Sequence, residues 1–216
     1  MLRLLKTESF KLSNKLKSWL GPLLIMVLVL IAFPLSIDIS QYDLEKFYFS
    51  IIVVSLLMTS FVATEGMFEE DFEDGSLEQE FIIEKDFYKL VLSKIFVYVC
   101  LIGIPIAFIG ALFSFANGVE IGSFGKVFLL LILSNLLLFN LFAFGNALSI
   151  NKGAMLGVLS SLPLTLPVII LLGRAIRSIQ YGDGFSSIIA LMVGIGLIIS
   201  AIMPLIISAA LKTHID

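Results

Sequence analysis

The 216-residue sequence predicts an all-α, polytopic integral membrane protein with six transmembrane helices. Hydrophobic residues make up 59% of the chain and charged residues 14%, whereas a soluble domain is about a quarter charged. Six runs without any charged side chain are each about as long as the 20 residues that span a bilayer. They occupy about residues 19–37, 47–64, 95–119, 127–151, 153–173 and 184–211. We interpret residues 1–216 as a single transmembrane domain.

The first apolar run is predicted to be a retained span and not a cleaved leader. It follows a charged segment of 18 residues and lacks a small-residue cleavage site. Aromatic residues that favour the membrane interface lie at or near span ends: Trp19, Tyr42, Tyr48 and Tyr181.

Lysine and arginine in the connecting segments orient the spans. The N-terminal segment, residues 65–94, Lys152 and Lys212 place ten of them on one side, against four on the other. This asymmetry predicts that both termini are cytoplasmic. Arg174 and Arg177 then lie on the outer side, where we expect them to pair with lipid head groups.

The segment of residues 65–94 holds ten of the seventeen acidic residues. Phe68 and Phe72 are spaced to share one helix face. Gly75 predicts an interruption, and Ser76 is a candidate N-cap for a second helix. We therefore expect two short amphipathic elements on the cytoplasmic surface. An apolar stripe of Phe87, Leu90, Val91 and Lys94 continues from them into span three.

The acidic character of this segment bears on its partner. A helix that only anchors to anionic lipid is typically rich in Lys and Arg, so an acidic one favours a protein partner. A simple interfacial anchor is the alternative. The same charge disfavours binding to nucleic acid.

Several features inside the spans have structural interpretations. Intramembrane amides usually join helices by hydrogen bonds, which we favour over a substrate-lining role for Asn135, Asn140, Asn146 and Asn151. Gly153 and Gly157 permit close helix approach, within the chain or between two copies. Pro163 and Pro167 are expected to disrupt the helical ladder of span five, as a static kink or as a hinge.

The composition excludes several classes of activity. A single cysteine (Cys100) and a single histidine (His214) cannot form an intrachain disulfide, a thiolate cluster, a His-based metal site or a catalytic triad. We therefore predict neither catalytic nor metal-binding residues. The sequence has no phosphate-binding loop, so any ATP hydrolysis must come from another chain. The spans lack the acidic groups and histidines on which ion-coupled pumps depend.

Three motifs in order give the chain a recognisable pattern. They are Phe33-Pro34-Leu35-Ser36-Ile37, Phe68-x-x-Asp71-x-x-Asp74-Gly-Ser-Leu-Glu-Gln79, and Leu162-Pro-Leu-Thr-Leu-Pro167. With six spans and an acidic segment between spans two and three, the chain resembles ABC-2-type permeases and, within them, the CcmB family. After Gln79 the chain continues with Glu80-Phe-Ile-Ile-Glu-Lys-Asp86, where that family tends to be rich in proline and leucine.

The resemblance implies a non-catalytic permease subunit of an ABC complex for c-type cytochrome maturation, in a bacterial inner membrane or, alternatively, a mitochondrial one. It implies these partners: the ATPase subunit CcmA, CcmC, CcmD, the heme chaperone CcmE and a second copy of the chain. It also implies a coupling segment that docks on the ATPase: Glu65, Phe68, Asp71, Phe72, Asp74, Gly75, Ser76, Leu77, Glu78 and Gln79. Pro34, Pro163 and Pro167 are candidate helix breaks or hinges.

Cofactors are expected on the partners and not on this chain. ATP would bind the ATPase, and heme would be handled by the complex, because His214 and the internal methionines suggest no stable axial ligation here. Two alternatives stay open: an ABC-2 permease that exports another lipid, drug or peptide, and a membrane scaffold without a transport cycle.

Overall fold

The computed structural model describes residues 1–36, 44–83, 86–117, 119–150, 154–182 and 184–215. Within these ranges the chain is helical and contains no β-strand. The helices are α1 (Leu2–Asn14), α2 (Leu16–Ser36), α3 (Leu44–Thr64), α4 (Glu69–Glu73), α5 (Ser76–Ile83), α6 (Tyr88–Tyr98), α7 (Ile104–Ala116), α8 (Ile121–Ser149), α9 (Ala154–Tyr181) and α10 (Phe185–Ile215). The predictions for Tyr42, Lys85, Asn151, Lys152 and Gly153 lie outside the described residues.

Six helices are long and apolar enough to cross a membrane, which confirms the predicted fold class. They run over Ser18–Ser36, Phe49–Glu73, Tyr88–Ala116, Ile121–Ser149, Leu159–Tyr181 and Phe185–His214. The second of these ranges continues through α4, although the long helix of span two, α3, ends at Thr64. The third begins at Tyr88 rather than at residue 95, because the charges of Lys89 and Lys94 do not interrupt an otherwise apolar helix. This shift brings Lys94 into the span.

Helix α8 is the centre of the bundle. It packs against α3, α7, α9 and α10. In the most apolar stretch of α8, 67% of the residues are buried, whereas in those of the first and last spans 17% are buried. The outer helices therefore leave most of their apolar side chains for lipid or protein partners, which is possible because a bilayer does not penalise them.

Two glycines allow a close contact between α8 and α9. A Cβ built on Gly145 would lie 2.5 Å from the carbonyl oxygen of Gly157, and one on Gly157 would lie 2.7 Å from that of Gly145. Only glycine fits at both positions. The close approach predicted for Gly157 is thus made within the chain.

The third span contains a π-helical turn, Val99–Gly103, between α6 and α7. Pro105 follows it and cannot donate a backbone hydrogen bond, which explains why the regular ladder is interrupted there. Asn135 of α8 donates from Nδ2 to the carbonyl of Gly103 at 2.9 Å, and its Oδ1 accepts from the hydroxyl of Ser60 in α3 at 3.1 Å. One buried amide thereby joins spans two, three and four.

The other amides behave differently from one another. Asn146 accepts a hydrogen bond from the backbone N–H of Phe68, so it also joins elements, as predicted. Asn140 does not: its Nδ2 donates to Leu136 in its own helix, and its buried Oδ1 has no partner among the described residues.

The prolines leave their helices continuous. α9 extends through Pro163 and Pro167, and α2 extends through Pro34 in its last turn. Within α9, hydroxyls bond to backbone carbonyls near the first proline, Ser161 to Gly157 and Thr165 to Leu162. A hinge at these positions stays a prediction.

Candidate functional site

The segment between spans two and three forms two short helices, as the sequence predicted. α4 ends at Glu73, Gly75 takes a left-handed conformation with φ +73°, and α5 begins at Ser76. Ser76 is not the cap that we expected. Its hydroxyl points back to Asp71, whereas Asp74 Oδ1 accepts the backbone N–H of Ser76 at 2.9 Å and closes the turn. Asp74 can accept this hydrogen bond because the chain reverses at the next residue, Gly75, which has no side chain and adopts the left-handed conformation.

The structure divides the predicted coupling residues into two groups. The buried or half-buried group holds the segment to the protein: Phe68, Asp71, Phe72, Gly75, Ser76 and Leu77. The exposed group is Glu65, Asp74, Glu78 and Gln79. Glu69 and Glu73 are also exposed, and we call Glu69, Glu73, Asp74, Glu78 and Gln79 the exposed acidic face. Only exposed side chains can contact a partner, so the first group positions the second.

Four charged side chains hold the segment against the rest of the protein. They are Glu8, Lys11, Asp71 and Lys94, and we call them the buried charge cluster. Lys94 hydrogen-bonds Asp71 and lies 3.9 Å from Glu8. Lys11 lies 3.3 Å from Asp71 and 3.8 Å from Glu8. Two carboxylates and two ammonium groups balance, which is the condition for keeping such charges away from water.

The cluster brings together three elements that are distant in sequence. Glu8 and Lys11 come from the N-terminal helix α1, Asp71 comes from α4, and Lys94 comes from the third span. Lys94 also lies over the ring of Phe68, 5.5 Å from its centroid, which adds a cation–π contact. α1 is therefore packed against α4 and helps to hold the acidic segment in place.

Further basic residues of α1 pair with the acidic segment. Lys15 bonds Glu70, and Arg3 lies 3.7 Å from Glu80. Three of the segment's acids are thus neutralised within the chain. The excess negative charge that remains for a partner is concentrated on the exposed acidic face.

Burial controls the protonation of Glu8, which lies outside the spans. Burial raises the pKa of the Glu8 carboxyl, Lys94 opposes that rise, and the charge of Asp71 adds to it. Asp74 differs, because its hydrogen bonding with Ser76 lowers its pKa. Asp74 therefore stays ionised, whereas Glu8 is the carboxyl group of the buried charge cluster that takes up a proton most readily.

The segment is linked directly to the spans above it. The N–H of Phe68 bonds Asn146 of α8 at 3.1 Å. On α5, the ring of Phe81 packs edge-on against Phe87 at 5.4 Å and lies 5.4 Å below the ammonium of Lys212 at the end of α10. A force applied to α4 and α5 would therefore reach spans three, four and six.

Sequence reasoning missed Glu8, Lys11 and Lys94 as parts of this site. A signal existed for Lys94, the only charge in the apolar stripe that enters span three. For α1 the signal was an acidic residue, Glu8, on the apolar face of an otherwise basic helix. Neither signal identifies the residue that is contacted, because Asp71 is 60 residues from Lys11 and 23 residues from Lys94 along the chain.

These features define a class: a six-span helical membrane protein whose short acidic helices between spans two and three are packed onto an N-terminal amphipathic helix. The family model described as CcmB protein matches residues 2–214 of this chain, and the chain belongs to that family.

Individual relatives agree over the same length. The chain is 28% identical to heme exporter protein B of Pseudomonas aeruginosa over 214 residues, which cover 98% of this chain and 96% of that protein. It is 28% identical to heme exporter protein B of Haemophilus influenzae over 221 residues, 100% of this chain and 98% of that protein. A shorter match to heme exporter protein B of Escherichia coli K12 is 34% identical over 86 residues, 40% of this chain and 39% of that protein.

Proposed function

We propose that this chain is the membrane permease subunit of an ABC-type complex for heme export in c-type cytochrome biogenesis. The observation that carries the proposal is the exposed acidic face held by the buried charge cluster, in a chain that shares its family and its length with heme exporter proteins B. In this role the chain converts ATP hydrolysis by a separate ATPase subunit into movement of its spans.

The division of the segment into exposed and buried residues supports a mechanical role. Glu78, Gln79 and Asp74 are exposed and can contact a basic surface of an ATPase. Asp71 and Phe68 are buried and transmit displacement to Lys94 and Asn146. Because the core is close-packed, a shift of α4 moves spans three and four as a unit rather than deforming the segment.

The orientation and partners complete the proposal. The excess of lysine and arginine on the side of the termini supports a cytoplasmic location of the exposed acidic face, where ATP is available. The partners would be the ATPase subunit CcmA, CcmC, CcmD and the heme chaperone CcmE, with a second copy of this chain in the assembly. The membrane would be the bacterial inner membrane.

Heme is proposed to be handled by the complex without stable axial ligation by this chain. Met26 and Met192 are fully buried in the core, and the thioether of Met26 accepts from the hydroxyl of Thr59. His214 lies in the last turn of α10, beyond the apolar part of the span. None of these side chains presents a ligand atom to an open site within a span.

The test is complementation in a bacterial host that lacks its own copy of this permease. Covalently bound heme in c-type cytochromes is measured with the wild-type chain, with Glu78→Lys, and with Glu120→Lys as the matched control. Glu120 is an exposed acid at the opposite end of α8, so the control has the same charge change away from the segment. Membrane abundance and co-purification of the ATPase are measured on the same samples.

We expect the wild type and Glu120→Lys to restore bound heme and Glu78→Lys to lose both heme and ATPase co-purification. A wild-type chain that recruits the ATPase but restores no heme would favour an exporter of another substrate. A chain that is abundant in the membrane but recruits no ATPase would favour a scaffold. Normal heme with Glu78→Lys would refute coupling through the exposed acidic face.

A further inference from the structure

An open groove runs between α3 and α9 on the outside of the bundle. α3 packs mainly against α2 and α8, and α9 packs mainly against α8, so the two helices leave a gap between them. The inner part of the groove, next to Pro163, has a volume of about 550 Å³ and is lined by apolar side chains such as Met58, Phe61 and Leu166. The one hydroxyl there, that of Thr165, is already bonded to the carbonyl of Leu162.

The groove continues along the same helices and changes character at its other end. A second part of about 360 Å³ shares Ile169 with the first and is lined by Val53 and Val54, then by Arg177 and Gln180. α9 begins beside the end of α8 that binds Phe68, and Arg177 and Gln180 lie near the other end of α9. This polar end of the groove is therefore on the side of the bundle opposite the coupling segment. The groove is thus apolar along its length and cationic at one mouth.

Arg177 is available to a ligand at this mouth. Its side chain is exposed, and none of the ion pairs among the described residues includes it. A guanidinium group suits a phosphate, which it can bind through two parallel hydrogen bonds. Arg174, one turn away, does not line the groove.

We propose that the α3–α9 groove binds one anionic phospholipid, with its phosphate at Arg177 and Gln180 and an acyl chain along the apolar walls. The apolar lining and the cationic mouth match a molecule that has a hydrocarbon body and a charged head. This lipid site is independent of the proposed transport function.

The depth of the groove agrees with such an occupant. The hydrocarbon of one leaflet is about 15 Å thick, half of the bilayer core, and ten residues of helix cover about the same length. An acyl chain that starts at Arg177 therefore extends past Ile169, where the inner part of the groove begins, to about the level of Pro167. The two parts of the groove together accommodate the full chain.

The experiment uses fluorescence of a single tryptophan placed in the groove. Trp19 is the only tryptophan of the chain, so Trp19→Phe gives a background in which Met58→Trp reports from the groove wall. The full chain is reconstituted in phosphatidylcholine vesicles that contain either phosphatidylglycerol or phosphatidylcholine with brominated acyl chains, which quench tryptophan on contact. Leu197→Trp, on the exposed face of α10, is the reference for ordinary lipid contact.

We expect brominated phosphatidylglycerol to quench Met58→Trp at about a fivefold lower mole fraction than brominated phosphatidylcholine, the preference that one arginine near an anionic head group supplies. Leu197→Trp should be quenched equally by both lipids. Arg177→Gln should abolish the preference at Met58→Trp, and Arg174→Gln should leave it unchanged.

A second pair of variants separates occupancy from folding. Gly173 lines the groove, and a Cβ added to it meets no atom of the described residues within 4 Å, so Gly173→Phe can direct its ring into the cavity without strain on the backbone. Gly194→Phe on α10 is the matched control, with equally open surroundings. Gly173→Phe should remove the preference, and Gly194→Phe should keep it. Equal quenching by the two lipids in the groove would overturn the proposal, as would weak quenching by both, which would indicate a protein occupant.

Discussion

Replacing Lys94 with methionine should release the N-terminal helix from the coupling segment. Lys94 is the one cation of the buried charge cluster that is almost fully buried, with its side chain 6% exposed. Methionine keeps the apolar stem and its contact with Phe68 but leaves the carboxylates of Glu8 and Asp71 without their main counter-charge. Removal of one partner from a buried pair costs about 3–5 kcal/mol.

The geometry places the cost at the lower end of that range, about 3 kcal/mol. Lys11 stays 3.3 Å from Asp71 and 3.8 Å from Glu8, and it compensates part of the charge. Lys11 itself is 34% exposed, so Lys11→Met should cost less, about 1 kcal/mol. Arg3 is 64% exposed in its pair with Glu80, and Arg3→Met should cost close to nothing.

The measurement follows the detachment of α1 through thiol labelling. In a Cys100→Ala background, Leu12→Cys places a thiol on the buried face of α1, which a maleimide can reach only when the helix opens. A cost of about 3 kcal/mol should raise the labelling rate about a hundredfold, since each 1.4 kcal/mol is a factor of ten. Leu2→Cys, on the exposed face, should label at the same rate in every variant.

A compensating substitution decides whether charge is the cause. Lys94→Met combined with Asp71→Asn restores the balance of charges and should recover most of the slow labelling. If Lys94→Met labels no faster than Lys11→Met, or if the double variant is no slower than Lys94→Met alone, the electrostatic account of the site is wrong.

Three further predictions concern the bundle and the pH dependence. Asn135→Leu should destabilise the detergent-solubilised chain by about 1–2 kcal/mol, because it leaves two buried hydrogen-bonding groups unpaired. Asn140→Leu should be close to neutral. Unfolding in SDS compares the two variants, and equal losses of stability would contradict the assigned contacts. Gly145→Ala should lower the free energy of unfolding by about 1–3 kcal/mol, because the added methyl group forces α8 away from α9. Gly173→Ala, with open space around it, should not lower the free energy of unfolding. The same unfolding assay tests both variants, and a neutral Gly145→Ala would refute the close approach. Because burial raises the pKa of Glu8, the stability contributed by its protonated form is present below the ordinary carboxyl pKa and is lost as the pH rises through the raised value. The labelling rate of Leu12→Cys, divided at each pH by that of the exposed Leu2→Cys to remove the pH dependence of the thiol itself, should be lower in mild acid than at neutral pH, and Glu8→Gln should remove that difference.

The local pattern of the sequence predicted much of the fold. The length of the uncharged runs predicted the six spans, and Gly75 predicted the break between two short helices in the coupling segment. These features depend on neighbouring residues alone, since a helix needs only a continuous apolar run to span and a left-handed turn needs only a residue without a side chain.

The amides of α8 show where such reasoning ends. Asn135 and Asn140 look equivalent in sequence, yet the first joins three spans and the Oδ1 of the second has no partner in the part of the chain that the structure describes. The difference is the rotation of α8 relative to its neighbours, which determines whether a polar group or an apolar one faces each amide.

The acidic segment gives the same lesson for the candidate site. The sequence by itself determined that a run of carboxylates lies between spans two and three and that the N-terminal segment is basic. Only the tertiary structure decided that Asp71 is buried against Lys94 and Glu8 while Glu78 is exposed. The physical reason is that burial and pairing of a charge depend on groups brought close by folding, which the spacing of residues along one segment does not encode.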